Sequence, residues 1–464
     1  MKRSIVLMTF LLILSSCSSL SKKGVTAGQP AGEIPVKKFV LDNGLTLLVS
    51  ENDQLPIFSY YTFYNVGGRH ESEGTTGATH FLEHMMFKGA KKYGPKQFDT
   101  TIEANGGSTN AYTNFDSTVY YQSMPSHMIE KIIDMEADRM ENLLLEEESF
   151  EAERKVIFEE RKMRYENSPR GQLYLTLMKE VFKGTPYGGS VIGSEQDLAN
   201  LSRTQVREFF KNFYRPDNAT IVIVGNVDAD EVHSMVKEKF AHMEQTSSEI
   251  TNYKKSKDNK DLYEFKNNNF KKHTKLYGQS PTPLFMMGYR GLPLGEREAF
   301  VMDILATVLG QSASSYLIDK LVASKNPMFS SLSTSNYNLK YNGVFFVSGQ
   351  LLEKKSFNRA KNKLLKTLKR SCREAINARS VQKTKNQYLV DFYHGVKTNK
   401  GVAQYLGQME TLYGDFNFYK KELEIYNSIT EDELRNTCHE LFNDNKYFMV
   451  SVWDKYKKPA KGRR

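Results

Sequence analysis

Short apolar runs and alternating positions recur along the chain, separated by stretches of helical spacing. Phe39-Val40-Leu41 and Leu45-Thr46-Leu47-Leu48-Val49 flank Asp42-Asn43-Gly44, which predicts a β-hairpin. Phe58 to Val66 predicts another strand, closed by Gly67-Gly68. A second hairpin is expected from Asn110-Ala111-Tyr112-Thr113 to Val119-Tyr120-Tyr121, and Thr220 to Gly225 reads as a buried strand. Between these lie helical stretches: one begun by Thr75-Thr76 as caps and ended near Lys88-Gly89, then Met128 to Leu144, then Glu147 to Tyr165, stopped at Asn167-Ser168-Pro169.

Gln245 to about Asp261 is polar, and a domain boundary is expected there. Beyond it the same kinds of pattern return. Strands are expected at Leu262–Phe265, Leu284–Tyr289, Gly343–Gln350 and Phe448–Val452, with a helix from Glu296 to Leu309 and long charged helices before the last strand. The chain has 464 residues, too many for one core. Aligning Gly89 with Gly310 sets His80, Glu83 and His84 against Val301, Ile304 and Leu305. The two halves therefore read as divergent copies, and the fold expected is α+β: two homologous α/β-sandwich halves, each a mostly antiparallel sheet packed with helices.

The chemistry concentrates in His80-Phe81-Leu82-Glu83-His84. On a helix Glu83 lies about 60° to one side of His80 and His84 about 40° to the other, so all three share a face. Two imidazoles at this spacing can bind zinc, and the glutamate is placed to act as a general base. A catalytic zinc needs a third ligand. Glu153 and Glu160 lie seven residues apart, about 20° from one helical face, so one can bind metal while the other holds a histidine; Glu159 points away by about 100°. The other seven histidines do not cluster along the sequence.

The motif H-x-x-E-H and its surroundings resemble the pitrilysin family of zinc peptidases. The likeness spans most of residues 36–455 and includes Val66-Gly67-Gly68-Arg69, Gly77 to Gly89, Asn110 to Thr113, Glu153 to Glu160, Pro186-Tyr187-Gly188 and Asn218-Ala219-Thr220. The resemblance implies His80, His84 and Glu160 as zinc ligands, Glu83 as catalytic base, and Glu153 as the glutamate that supports a ligand histidine. It implies that Asn110, Ala111, Tyr112 and Thr113 belong to a strand edge that receives an extended peptide. It also implies a partner. Full-length members join two such units, and the second contributes an Arg and a Tyr; here Val322 and Phe329 stand at those places. A homologous subunit lacking the zinc motif, or a second copy of this chain, is expected to complete the enzyme. The expected activity is zinc-dependent endoproteolysis. The alternative is a non-catalytic peptide-binding or scaffold lipoprotein of the same fold, which leaves three ligands and a base without a purpose.

The N-terminus reads as an address. Lys2-Arg3, the apolar run Ile5 to Leu14 and Leu14-Ser15-Ser16-Cys17 resemble a lipoprotein signal. Cleavage would leave Cys17 as the acylated first residue, attached to the membrane, and Ser18 after it favours the outer membrane facing the periplasm. The expected plan is then a signal at 1–16, a tether at 17–34, a metal-bearing domain at 35–245, a linker at 246–261, an inactive homologous domain at 262–456 and a basic tail at 457–464. Loss of Lys2 and Arg3 lowers the formal charge from +10 to +8. No nucleic-acid motif accompanies that charge. Cys372 and Cys438 remain; a disulfide is open to them in an oxidising compartment, but two buried free thiols are expected.

Overall fold

The computed structural model describes residues 33–244, 248–266, 273–353, 355–443 and 446–454. The leader, Cys17, most of the tether and the basic tail lie outside the described residues.

Six strands form the first sheet: β1 (Lys37–Val40), β2 (Thr46–Glu51), β3 (Ile57–Tyr64), β4 (Ser108–Thr113), β5 (Thr118–Pro125) and β6 (Ala219–Gly225), in the order β1-β2-β6-β3-β5-β4. Five form the second: β7 (His273–Gly278), β8 (Leu284–Gly291), β9 (Phe329–Asn338), β10 (Gly343–Leu351) and β11 (Phe448–Asp454), in the order β7-β11-β8-β10-β9. With β1 set aside the two orders are the same. β2 and β6 run parallel, as do β7 and β11, and every other pair is antiparallel. The helix Ala78–Met85 follows β3, and Arg297–Gly310 follows β8. The chain is α+β and carries one architecture twice. In the second copy Val301, Ile304 and Leu305 are buried among apolar neighbours, as a core helix requires.

The period-2 pattern of β3 sends Phe58, Tyr60 and Tyr64 into a core under the helices of the first half, with Ile221 and Ile223 of β6. Tyr61, Phe63, Val222 and Val224 point to the other face and are buried as well. Their cover comes from the second half: the helix Asn399–Tyr413 packs on β3 and β6. Gly407 permits that approach, since a Cβ there would stand 2.0 Å from the Phe63 ring. In return the helix Pro169–Val181 packs on β8 and β11, and its Leu177 and Val181 share a core with Val344 and Val450. The halves thus exchange helices. A buried polar junction adds to this. Arg69 is fully buried, donates to Asp116 Oδ1 at 2.9 Å and pairs with Asp258 Oδ1 at 2.9 Å, and Tyr341 donates to the same Asp258 oxygen at 2.8 Å.

Several expectations fail locally. Leu262–Phe265 is not a strand: Lys260–Tyr263 forms a 3-10 turn begun by Asn259, whose side chain accepts from Asp261 N–H, and Tyr263 is buried. The stretch read as a linker contains the helix Ser248–Lys257. The strand β9 escaped notice because Phe329-Ser-Ser-Leu-Ser-Thr-Ser is rich in residues typical of loops; it buries Phe329, Leu332 and Thr334. Cys372 and Cys438 are not free thiols. They form a disulfide with Cα atoms 5.4 Å apart, because the helices Phe357–Glu374 and Glu431–Asn443 pack side by side. A separation of 66 residues in sequence gives no sign of that contact.

Candidate metal centre

The helix Ala78–Met85 has only eight residues, and its N-terminus is not capped by Thr75 or Thr76. The threonine hydroxyls turn away, Thr75 to Ser72 O and Thr76 to the Asp197 carboxylate. Gly77 holds the cap position at φ +92°, where a Cβ would stand 2.6 Å from Ile192 O. The Glu71 carboxylate accepts from Gly77 N–H and Thr79 N–H, both at 2.8 Å, and so satisfies the first orphan donors of the helix. Phe81, Leu82 and Met85 form the apolar face, with Phe81 stacked on Phe150 at 4.3 Å. His80, Glu83 and His84 take the remaining face.

Phe150 and Ile157 seat the helix Glu147–Arg161 against the same core, and Glu153 is buried on that stripe. Glu160 projects towards the histidines. Its Oε2 lies 3.6 Å from His80 Nε2 and 3.3 Å from His84 Nε2. Two donors of a tetrahedral zinc with bonds of 2.0–2.1 Å stand about 3.3 Å apart, so both separations from Glu160 are close to those one ion would set. Among the described residues His80, His84 and Glu160 are the group whose ligand atoms converge in this way, all within 4.8 Å. His84 Nδ1 lies 2.8 Å from Glu153 Oε1, which fixes the tautomer and leaves Nε2 facing Glu160.

The protonation of the site follows from the same contacts. Burial holds His80 down to about 4, with His84 adding to the effect, so its imidazole is neutral. Burial also opposes a charge on His84, but hydrogen bonds to Glu153 and Glu160 outweigh it and raise the group to about 9. Burial raises Glu83, against a hydrogen bond donated by the Thr113 hydroxyl. A carboxylate raised in this way is better suited to exchange protons near neutral pH.

Asn110, Ala111, Tyr112 and Thr113 lie on β4, the outer strand of the first sheet, which pairs with β5 alone among the described residues. β4 also touches the motif helix, and Thr113 reaches Glu83. A cavity of about 240 Å³ beside His80 is lined by Thr113, Tyr165 and Tyr174 from the first half and Tyr337 from β9 of the second. Phe329 is buried at the start of β9 and Val322 ends the turn before it.

Three contributors went unread in the sequence. Lys88 pairs with Glu153 Oε2 at 2.6 Å, Arg164 pairs with Glu160 Oε1 at 3.0 Å, and Glu71 caps the motif helix. The four-residue spacing of Glu160 and Arg164 could have revealed the second pair. Nothing local marks the other two.

Residues 48–195 match the family described as Insulinase (Peptidase family M16), and residues 200–388 match the Peptidase M16 inactive domain. The chain is 27% identical over 369 residues to a protein named zinc protease PqqE from Helicobacter pylori, covering 78% of this chain and 80% of that one. The crystal structure of a protease from Helicobacter pylori superposes with a TM-score of 0.82 at 23% identity, over 91% of this chain and 100% of that chain. The periplasmic protease PqqL from Escherichia coli superposes with a TM-score of 0.73 at 18% identity, over 94% of this chain but 50% of that chain. Two consecutive domain matches, a shared fold and relatives named zinc proteases lead to one conclusion: this chain belongs to the M16, or pitrilysin, family of peptidases.

Proposed function

We propose that the chain is a zinc-dependent endopeptidase that cuts extended peptides or unfolded segments, and that it is the metal-bearing subunit of a two-subunit enzyme. The reading rests on the convergence of His80, His84 and Glu160, with Glu83 one helical position from His84. Zinc held by those three side chains supplies a Lewis acid and makes water acidic near neutral pH. Glu83 takes the proton of the attacking water and passes it to the leaving amine. The Thr113 hydroxyl orients Glu83, Glu153 holds His84 in one tautomer, and Lys88 holds Glu153. The outer edge of β4, with Asn110, Ala111, Tyr112 and Thr113, takes the substrate as an added strand, so that backbone hydrogen bonds supply affinity with little demand on sequence.

The partner is a homologous chain without the zinc motif, or a second copy; the half-length match to the Escherichia coli protease supports a paired arrangement. Acylated Cys17 holds the enzyme at the outer membrane, facing the periplasm. A Cys372–Cys438 disulfide suits that oxidising compartment.

Metal analysis together with peptide cleavage tests the reading. The native chain is expected to carry stoichiometric zinc, and Glu83→Gln to keep the metal while losing about 10²–10⁴ in turnover. A chain without zinc, or a Glu83→Gln variant that still cleaves peptides, would overturn it. Full activity in a strictly monomeric fraction would remove the two-subunit part.

A further inference from the structure

The helix Phe357–Glu374 buries Phe357, Ala360, Leu364, Leu368 and Cys372 against the second core. Its outer face is occupied by one kind of charge. Arg359, Lys363, Lys366, Arg370 and Arg373 are all exposed. Taken from Arg359 they recur at four, seven, eleven and fourteen residues, so they fall within about 40° of one line along the helix. That line is about 21 Å long. The helix carries no carboxylate before Glu374, its last residue, whose side chain accepts from the Tyr316 hydroxyl. Among the described residues no ion pair within 4.0 Å engages any of the five cations. Lys363 reaches only the carbonyl of Asn326, at 3.5 Å.

Lys361 of the same helix lies about 160° round from that line, on the opposite side, and with Lys275 of β7, the outer strand of the second sheet, it approaches His273. Burial and then those two charges hold His273 down to about 4. Ordinary solvated helix faces mix both signs at four-residue spacing, as Glu431 and Arg435 do on the neighbouring helix. Apart from Glu374 at its end, this face lacks the acidic half of that pattern, which leaves its cations in mutual repulsion until an anionic surface meets them.

The geometry points to a docking surface for anionic phospholipid headgroups along Arg359, Lys363, Lys366, Arg370 and Arg373. A straight row on the side of a helix offers its charges to a flat array of phosphates. The row is not set in a groove that would follow a curved strand. The expected acyl anchor bears on the choice of partner. Seventeen residues lie between Cys17 and Pro35, a reach of at most about 65 Å, so an anchored chain stays within contact of the bilayer. Each cation brought to an anionic leaflet contributes about a fivefold gain in affinity. The row would thereby set which side of the folded unit faces the lipid. The inference is independent of the proposed peptidase activity.

The test uses the mature chain, residues 17–464, carrying Cys17→Ser, which cannot be acylated, mixed with vesicles of phosphatidylcholine alone or of phosphatidylcholine and phosphatidylglycerol in equal parts. Sedimentation with the anionic vesicles at low salt, release at high salt and no sedimentation with the neutral vesicles are the expected results. Lys363→Gln, Lys366→Gln and Arg370→Gln together should weaken vesicle binding about 100-fold while thermal unfolding and peptide cleavage stay unchanged. Equal binding to neutral vesicles, or anionic binding untouched by the triple substitution, would overturn the inference. So would tighter binding to a DNA duplex than to the anionic vesicles at the same salt.

Discussion

Glu153 has both carboxylate oxygens committed, one to His84 Nδ1 at 2.8 Å and the other to Lys88 Nζ at 2.6 Å. Glu160 offers Oε2 to the two histidines and uses Oε1 for Arg164. Glu83 receives the Thr113 hydroxyl and is the one carboxylate of the three that burial leaves raised; burial also opposes the charge on Glu153, but His84 and Lys88 outweigh it, and the hydrogen bond with His84 brings Glu160 below the ordinary range. Three glutamates within one cluster therefore differ in protonation tendency because their partners differ. Glu153→Gln keeps the shape and can still accept from His84, but the charge that makes His84 a strong donor is gone. Zinc affinity, measured by competition with a chelator, should fall about 10–100-fold while the chain stays folded. Unchanged affinity would mean that Glu153 does not support His84.

The elements that carry these residues were legible to different degrees. His80, Glu83 and His84 declare themselves because helical periodicity alone brings them to one face, and Glu153 and Glu160 are related by the same arithmetic. What periodicity does not reveal is the start of the motif helix. Thr75 and Thr76 have the right chemistry for caps, yet a glutamate from the preceding turn does that work. Glu71 could not be picked out because a carboxylate reaching two backbone donors six and eight residues ahead has no sequence signature. Similarly, β9 is polar enough to pass for a loop, and only its pairing with β10 makes it a strand. Glu71→Ala leaves the buried N–H groups of Gly77 and Thr79 without an acceptor. Stability measured by denaturant unfolding should fall by about 2–4 kcal/mol, and Glu71→Gln, which keeps one acceptor oxygen, by less. Equal losses in the two variants would mean that one remaining acceptor oxygen of the same shape contributes nothing.

At the scale of the whole molecule, the repeated strand order was foreshadowed by the match of Gly89 to Gly310, whereas the exchange of helices between halves was not. Sequence similarity between halves reports shared architecture and carries no record of which half covers which sheet. The junction around Arg69 lies in the same blind spot, since Asp116 and Asp258 are 47 and 189 residues away from it. The exchange explains why the cavity beside His80 has a wall from each half.

That exchange has a consequence for anyone who would cut the chain in two. A piece ending at residue 245 keeps His80, His84 and Glu160, but it loses the lid over Tyr61, Phe63, Val222 and Val224 and leaves the apolar side of the helix Pro169–Val181 without its seat. Expressed alone, residues 33–245 should aggregate; produced together with residues 246–464, the severed pieces should find each other and co-purify as a soluble pair. A soluble, monomeric 33–245 piece would show that the catalytic-looking half can stand alone, and that its twin is an accessory where the packing makes it a necessity.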